Sequence, residues 1–150
     1  MSGFYGPTSR ATSGRRLRVT LGNLQPIPND IDTKINFDTE TWDAKDEFTN
    51  GTYTCKEEGY HFITCNLVLL TNQQVFLIAL SIKHNSSFAN SQYTESITLY
   101  PLSSIRTTDT LHLEVGDTIE LWTHQESGDY SYAIGIPNQP TITTMSINKV

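Results

Sequence analysis

The sequence predicts an all-β protein, an antiparallel two-sheet jelly-roll sandwich, and three observations carry that prediction. Strand-length runs with period-2 or wholly apolar patterning recur near residues 33–37, 52–56, 60–70, 74–83, 93–99, 110–115, 118–124, 131–136 and 141–149. Turn signals separate them at Asn50-Gly51, Glu58-Gly59, Gly116-Asp117, Gly128-Asp129 and Pro137-Asn138. No stretch shows helical periodicity or heptads, and no internal repeat is visible.

Each part of the chain has a physical reading. The 150 residues suit one domain. Abundant Thr and Ser, ample aromatics and only 17% charged residues suit strands with hydroxyl-rich solvent faces. Residues 1 to about 14 are Gly, Ser, Thr, Pro and Arg with Phe4 and Tyr5, a composition that predicts disorder in isolation. Leu17, Val19 and Leu21 then alternate with Arg16, Arg18 and Thr20 as a short amphipathic strand, and NLQPIPND is a Pro-punctuated connection. Residues 1–24 are thus expected to be a flexible basic N-terminal arm, and 25–150 the jelly-roll domain. Within that domain CNLVLL and QVFLIALSI are apolar on both faces. Both sides of those strands should then be covered, either by loops of the same chain or by an oligomer interface.

Charge separates the two parts. The chain carries −6 overall, yet Arg10, Arg15, Arg16 and Arg18 precede the first acidic residue. A cationic arm on an acidic body is a tethering pattern, and the acidic body argues against nucleic acid as partner. The N-terminal residues lack the apolar core of a signal peptide, so synthesis in the cytoplasm without one is expected. No apolar run is long enough to span a bilayer as a helix. Cys55 and Cys65 are too few for a disulfide scaffold and match no zinc pattern; two reduced thiols or one hairpin bridge both fit.

The order of residues from Phe37 onward resembles the globular heads of the complement component one subcomponent q family, which share the tumour-necrosis-factor-like jelly roll. The matching residues are Phe37 with Asp38, then Gly51-x-Tyr53-x-Cys55, then Glu58-Gly59-Tyr60-His61-Phe62. Leu111-x-Leu113-x-Val115-Gly116-Asp117-Thr118-Ile119-x-Leu121 and the closing Ile142-x-x-Met145-Ser146-Ile147 follow in family order. Gly116 suits the φ > 0 position of a tight hairpin and Asp117 can bond the turn backbone. The resemblance implies a homotrimer packed along a threefold axis. Leu67, Leu69, Phe76, Ile78, Leu80 and Trp122 are the candidates for its core. The aromatic pair Tyr60 and Phe62 is shifted by one residue from the family pattern. Since one residue exchanges the sheet faces, either His61, Ile63 and Cys65 point inward or a bulge restores the aromatics.

Little in the chain points to chemistry. His61, His84, His112 and His124 are scattered without metal-ligand spacing, so no metal and no cofactor are expected. Asp43, Asp46 and Glu47 form an acidic loop that departs from the twelve-residue calcium pattern. No nucleophile elbow, Walker or Rossmann motif occurs, and no catalysis is expected. Asn50-Gly51-Thr52 and Asn85-Ser86-Ser87 are glycan-acceptor triplets read as chance matches. Tyr93, Tyr130 and Tyr132 form a possible ligand loop for sugars. Phe4, Tyr5, Arg10, Arg15, Arg16 and Arg18 form a possible anchoring arm, which three copies would reinforce by avidity.

Two functions follow as expectations. One is a non-enzymatic trimeric module on a virion surface, a capsid decoration or fibre head docked to a larger protein assembly through its arm. The other is a recognition head that binds a cell-surface receptor or glycan.

Overall fold

The computed structural model describes residues 14–71, 77–95, 102–137 and 142–150, with side chains of 88–95 excepted. Among the described residues there is no helix. The described residues form thirteen strands in two antiparallel sheets, the jelly-roll sandwich that the patterning predicts.

The seven-stranded sheet is built on the longest strand, β7 (Gly59–Thr71). Along one side of β7 runs β10 (Leu102–Leu113). On the other side lie β13 (Thr144–Lys149) and, further along, β12 (Ser131–Ala133). Beyond β13 come β1 (Arg15–Thr20) and β4 (Thr39–Asp43), and beyond β12 comes β2 (Gln25–Ile27). The six-stranded sheet runs β5 (Phe48–Thr49), β6 (Thr52–Thr54), β11 (Thr118–Glu126), β8 (Leu77–His84), β9 (Ser87–Glu95), and β3 (Thr33–Lys34) also pairs with β11.

Alternation decides which residues form the core. On β7, His61, Ile63, Cys65, Leu67 and Leu69 are fully buried, while Tyr60 and Phe62 are exposed on the opposite face. The one-residue shift therefore persists without a bulge, and the aromatics stay outside. From the facing sheet Ile78, Leu80, Ile82, Ile119 and Leu121 close the core. Burying such side chains supplies roughly 1.5–3 kcal/mol each before entropy is counted.

This packing corrects the expected trimer core. Leu67, Leu69, Ile78 and Leu80 lie between the two sheets of a single chain, with no exposed surface. They cannot also meet a neighbour, because period-2 geometry sends only the alternate residues outward. Trp122 is half-buried on the outer face of the six-stranded sheet, and Phe76 lies outside the described residues.

A second correction concerns the arm. Residues 15–20 are an interior strand of the sheet, hydrogen-bonded to β13 on one side and β4 on the other, so an arm reaching residue 24 is not what the chain forms. The register between β1 and β13 shifts between Arg15 and Leu17. That bulge, with Arg16 as its extra residue, breaks the alternation, so that Arg16 is buried next to the equally buried Leu17.

Turn chemistry closes the strands. Asn50 and Gly51 have φ of 51° and 76° and link Thr49 to its partner Thr52, the two-residue turn that Asn-Gly favours. Asn85 and Ser86 do the same for β8 and β9, with φ of 52° and 70°. The Asn85 amide bonds Asp117 and accepts from Thr118 N, so this acceptor triplet has a structural task. Gly116, at φ 96°, turns the chain from one sheet to the other rather than within one hairpin. The Asp117 carboxylate closes that turn on Glu114 N at 2.9 Å, as its position suggested.

Candidate functional site

The outer faces of the two sheets have different chemistry. On the seven-stranded sheet, Leu70 on β7 lies directly between Leu102 of β10 and Tyr132 of β12. Val68 and Ile134 are half-buried beside them, and Leu102 is 54% exposed. At the far end of β7, Tyr60 is 59% exposed and stands edge-on to His112 at 5.0 Å, with Phe62 exposed next to it. Polar residues separate the two apolar ends, among them Thr64, Asn66, Ser104 and Arg106. This face is thus apolar at both ends with a hydrophilic middle.

The six-stranded sheet carries a groove. On β11 the large residues Trp122 and His124 point outward, and their register partners on β8 are the small Ser81 and Ala79. That step leaves a cavity of about 270 Å³ lined also by Leu77, Asp32 and Glu126. Lys83 stacks its ammonium 3.6 Å from the centre of the Trp122 ring. Beside it, Glu120 is held by Lys34 at 3.1 Å, Thr52 Oγ1 at 2.6 Å and Trp122 Nε1 at 3.0 Å.

At the other end of the groove, both nitrogens of His124 face carboxylates. Nδ1 is 2.9 Å from Asp32 Oδ1, and Nε2 is 3.2 Å from Asp30 Oδ1 and 3.3 Å from Glu126 Oε2. Sequence reasoning missed this cluster. Glu126 is two residues from His124 and so on the same strand face, a readable signal. Asp30 and Asp32 come from the Pro-punctuated connection and are brought in only by the fold.

The residues expected to anchor or bind are otherwise placed as follows. Arg15 lies over the Trp42 ring at 5.1 Å, and Arg18 donates to Ser146 Oγ at 2.8 Å. Arg16 is 1% exposed and forms a bidentate pair with the buried Glu47, through Nε at 3.0 Å and Nη2 at 2.8 Å. These three arginines serve the fold, because a strand inside a sheet cannot also be a free tether. Phe4, Tyr5 and Arg10 lie outside the described residues. The tyrosines are not gathered in one loop: Tyr93 is on β9 opposite Ala79, Tyr132 is on β12 in the other sheet, and Tyr130 is exposed just before it. The Tyr93 side chain lies outside the described residues.

The acidic loop uses its oxygens internally. The Asp43 carboxylate accepts from Glu47 N at 2.8 Å and Phe48 N at 2.9 Å, and Glu47 accepts from Lys56 N at 2.7 Å as well as from Arg16. Around this pair the interior holds ionisable groups in their neutral forms. Burial pushes the Tyr53 phenol and the Cys55 and Cys65 thiols up, and pushes the His61 imidazole down. Both cysteines are free and buried.

Known structures share this architecture. The globular domain of zebrafish complement 1qA superposes with a TM-score of 0.61 over 89% of this chain and 94% of its own, at 17% identity. Murine APRIL at pH 5.0 superposes with a TM-score of 0.66 over 91% of this chain and 99% of its own, at 11% identity. The fold is that of the complement C1q globular head and of APRIL. No family model matches the sequence, and no curated protein matches it. At such low identity the likeness extends to the fold.

Proposed function

We propose that this chain is a non-enzymatic binding head that works as a homotrimer, assembled through the outer face of its seven-stranded sheet. The observation that carries the reading is the unpartnered row Val68, Leu70, Leu102 and Tyr132 at one end of that face, with Tyr60 and Phe62 at the other. Removing such side chains from water favours association by roughly 25 cal/mol per Å² of apolar surface, less the cost of ordering the partners. The axis contacts therefore belong to the outward residues of β7 and β10, one position out of phase with Leu67 and Leu69.

The setting that fits best is a virion surface, with the head decorating a capsid or fibre. Support comes from the cationic, aromatic-bearing segment before β1, where Phe4, Tyr5 and Arg10 stand among Gly, Ser and Thr. Because β1 is committed to the sheet, the docking element is restricted to residues 1–13. Light scattering on the full chain tests the assembly, which should have three times the 16.9 kDa mass of one copy. A folded monomer at working concentration would overturn the reading. Deleting residues 1–13 tests the docking: the trimer should persist and attachment to the parent particle should be lost.

A further inference from the structure

We propose that His124, Asp30 and Glu126 form a binding site for a divalent cation of the zinc class, with Asp32 as the residue that orients the histidine. The proposal does not depend on the trimer or on a virion setting.

Three observations support it. The first is hydrogen-bond direction. Asp32 Oδ1, at 2.9 Å from Nδ1, can only accept when ionised, so Nδ1 carries the proton. In the neutral ring Nε2 then presents a lone pair to two further carboxylates at 3.2 and 3.3 Å. Lone pair against lone pair is repulsive. A cation among the three atoms, or a proton on Nε2, must relieve it.

The second is charge. Among the described residues, none of Asp30, Asp32 and Glu126 forms an ion pair with a lysine or an arginine. The contrast lies on the same strand, where Glu120 is neutralised by Lys34. Three carboxylates thus share one imidazole while their neighbour has a full partner.

The third is spacing. Metal–ligand bonds of about 2.0–2.1 Å in a tetrahedral arrangement set the ligand atoms about 3.3 Å apart. The two separations from Nε2 match that edge, and all three ligand atoms lie within 4.8 Å of one another. A small closure of the exposed Asp30 and Glu126 side chains completes the site. The imidazole in the ligand set favours transition-metal ions of the zinc class over calcium, which needs six to eight oxygens. An Asp32–His124–metal relay is the usual way that a ligand histidine is held. Bound there, the ion would fasten the loop before β3 onto β11 at the mouth of the groove, with coordination positions left for water.

The test is titration of EDTA-stripped, untagged full-length chain with Zn²⁺ by isothermal calorimetry at neutral pH. Binding of one ion per chain is expected, with the affinity lowered at least tenfold in Asp30→Asn and in Glu126→Gln. Asp32→Asn should keep the stoichiometry and weaken binding about 10–100-fold, the range seen for such orienting carboxylates. Glu114→Gln, an exposed carboxylate on the turn after β10, should bind as the wild type does. Nitrogen-detected NMR should show the His124 Nε2 resonance, and not Nδ1, shift with added Zn²⁺. Absence of saturable binding in the wild type would overturn the proposal and leave the proton on Nε2 as the whole answer. Equal affinity in the Asp30 and Glu126 variants would overturn it as well.

Discussion

Replacing Glu47 with Ala should be among the most damaging single substitutions in this protein, and the structure sets its size. The Glu47 side chain is fully buried and accepts three charge-assisted bonds, from Arg16 Nε at 3.0 Å, Arg16 Nη2 at 2.8 Å and Lys56 N at 2.7 Å. Burial works to lower the Arg16 pKa, and the hydrogen-bonded Glu47 carboxylate outweighs it, so the guanidinium is held charged in the interior. Without Glu47 that cation keeps only Glu57, at 3.4 Å and on a side chain 53% exposed. An uncompensated buried charge costs about 3–5 kcal/mol. At about 2–4 °C per kcal/mol for a chain of this size, the melting temperature should fall by roughly 6–20 °C. Thermal and urea denaturation, followed by circular dichroism at one fixed chain concentration, measures it. Added salt should rescue nothing, since the pair is out of reach of screening. The double variant Arg16→Met/Glu47→Leu should recover much of the loss, because two apolar groups leave no stranded charge. A loss below about 1 kcal/mol, the range of surface pairs, would refute the reasoning. So would a double variant no more stable than Glu47→Ala alone.

Further outcomes are checkable in the same material. Asp117 is pulled down to about 2 by the Asn85 amide, the Glu114 N–H and the His84 ring. Its folded value lies below the unfolded one, so its contribution is present above about pH 4 and is lost as pH falls towards 2. Carbon-detected NMR should place its midpoint near 2, and Asp117→Asn should flatten that part of the acid-unfolding curve. Leu102→Asp, on an exposed edge residue, should leave the circular dichroism spectrum intact and shift the light-scattering mass to that of one chain; an unchanged trimer would move the interface elsewhere. Cys55 and Cys65, both buried with their thiols held protonated, should ignore a thiol reagent in the native state and react together once urea unfolds the chain.

Those parts of the fold whose sequence states its own backbone geometry were legible. Asn50-Gly51 predicted a turn and forms one with both φ values positive; at Gly116-Asp117 the positive φ and the Asp117 bond are present, but the expected hairpin is a turn between the two sheets. The apolar runs in β7, β8, β11 and β13 became four of the strands that supply the core. What escaped was polar. TETWD is β4, yet its composition reads as loop. Most of β10 also went unread, because its inward residues along LSSIRTT are Ser103, Ile105 and Thr107. Hydroxyls can face a core at a sheet edge, and a hydropathy pattern does not count them. Arg16 misled for a different reason: alternation says outward, and a bulge that no local residue announces turns it in. The phase of Leu67 and Leu69 was open for want of a partner strand, and the structure fixes it. Of the His124 cluster only the His124 and Glu126 pair was within reach of a strand pattern, since His124 and Asp32 lie 92 residues apart in the chain.

The two outer faces also constrain how the proposed activities combine. They are opposite sides of one sandwich, so a copy packed on the seven-stranded sheet does not cover the groove of the six-stranded sheet. Each trimer would present three outward grooves, each with a His124 cluster at its mouth, and the Tyr60 and Leu102 ends would be consumed at the interface. Zinc affinity and oligomeric state should accordingly vary independently. Leu102→Asp should dissociate the trimer and leave the calorimetric stoichiometry at one ion per chain, while Glu126→Gln should weaken zinc binding at least tenfold and leave the mass unchanged. If dissociation alone removed zinc binding, a ligand atom from a second copy would have to complete the site. The groove would then lie at the interface, and the assignment of the seven-stranded sheet to the axis would be wrong.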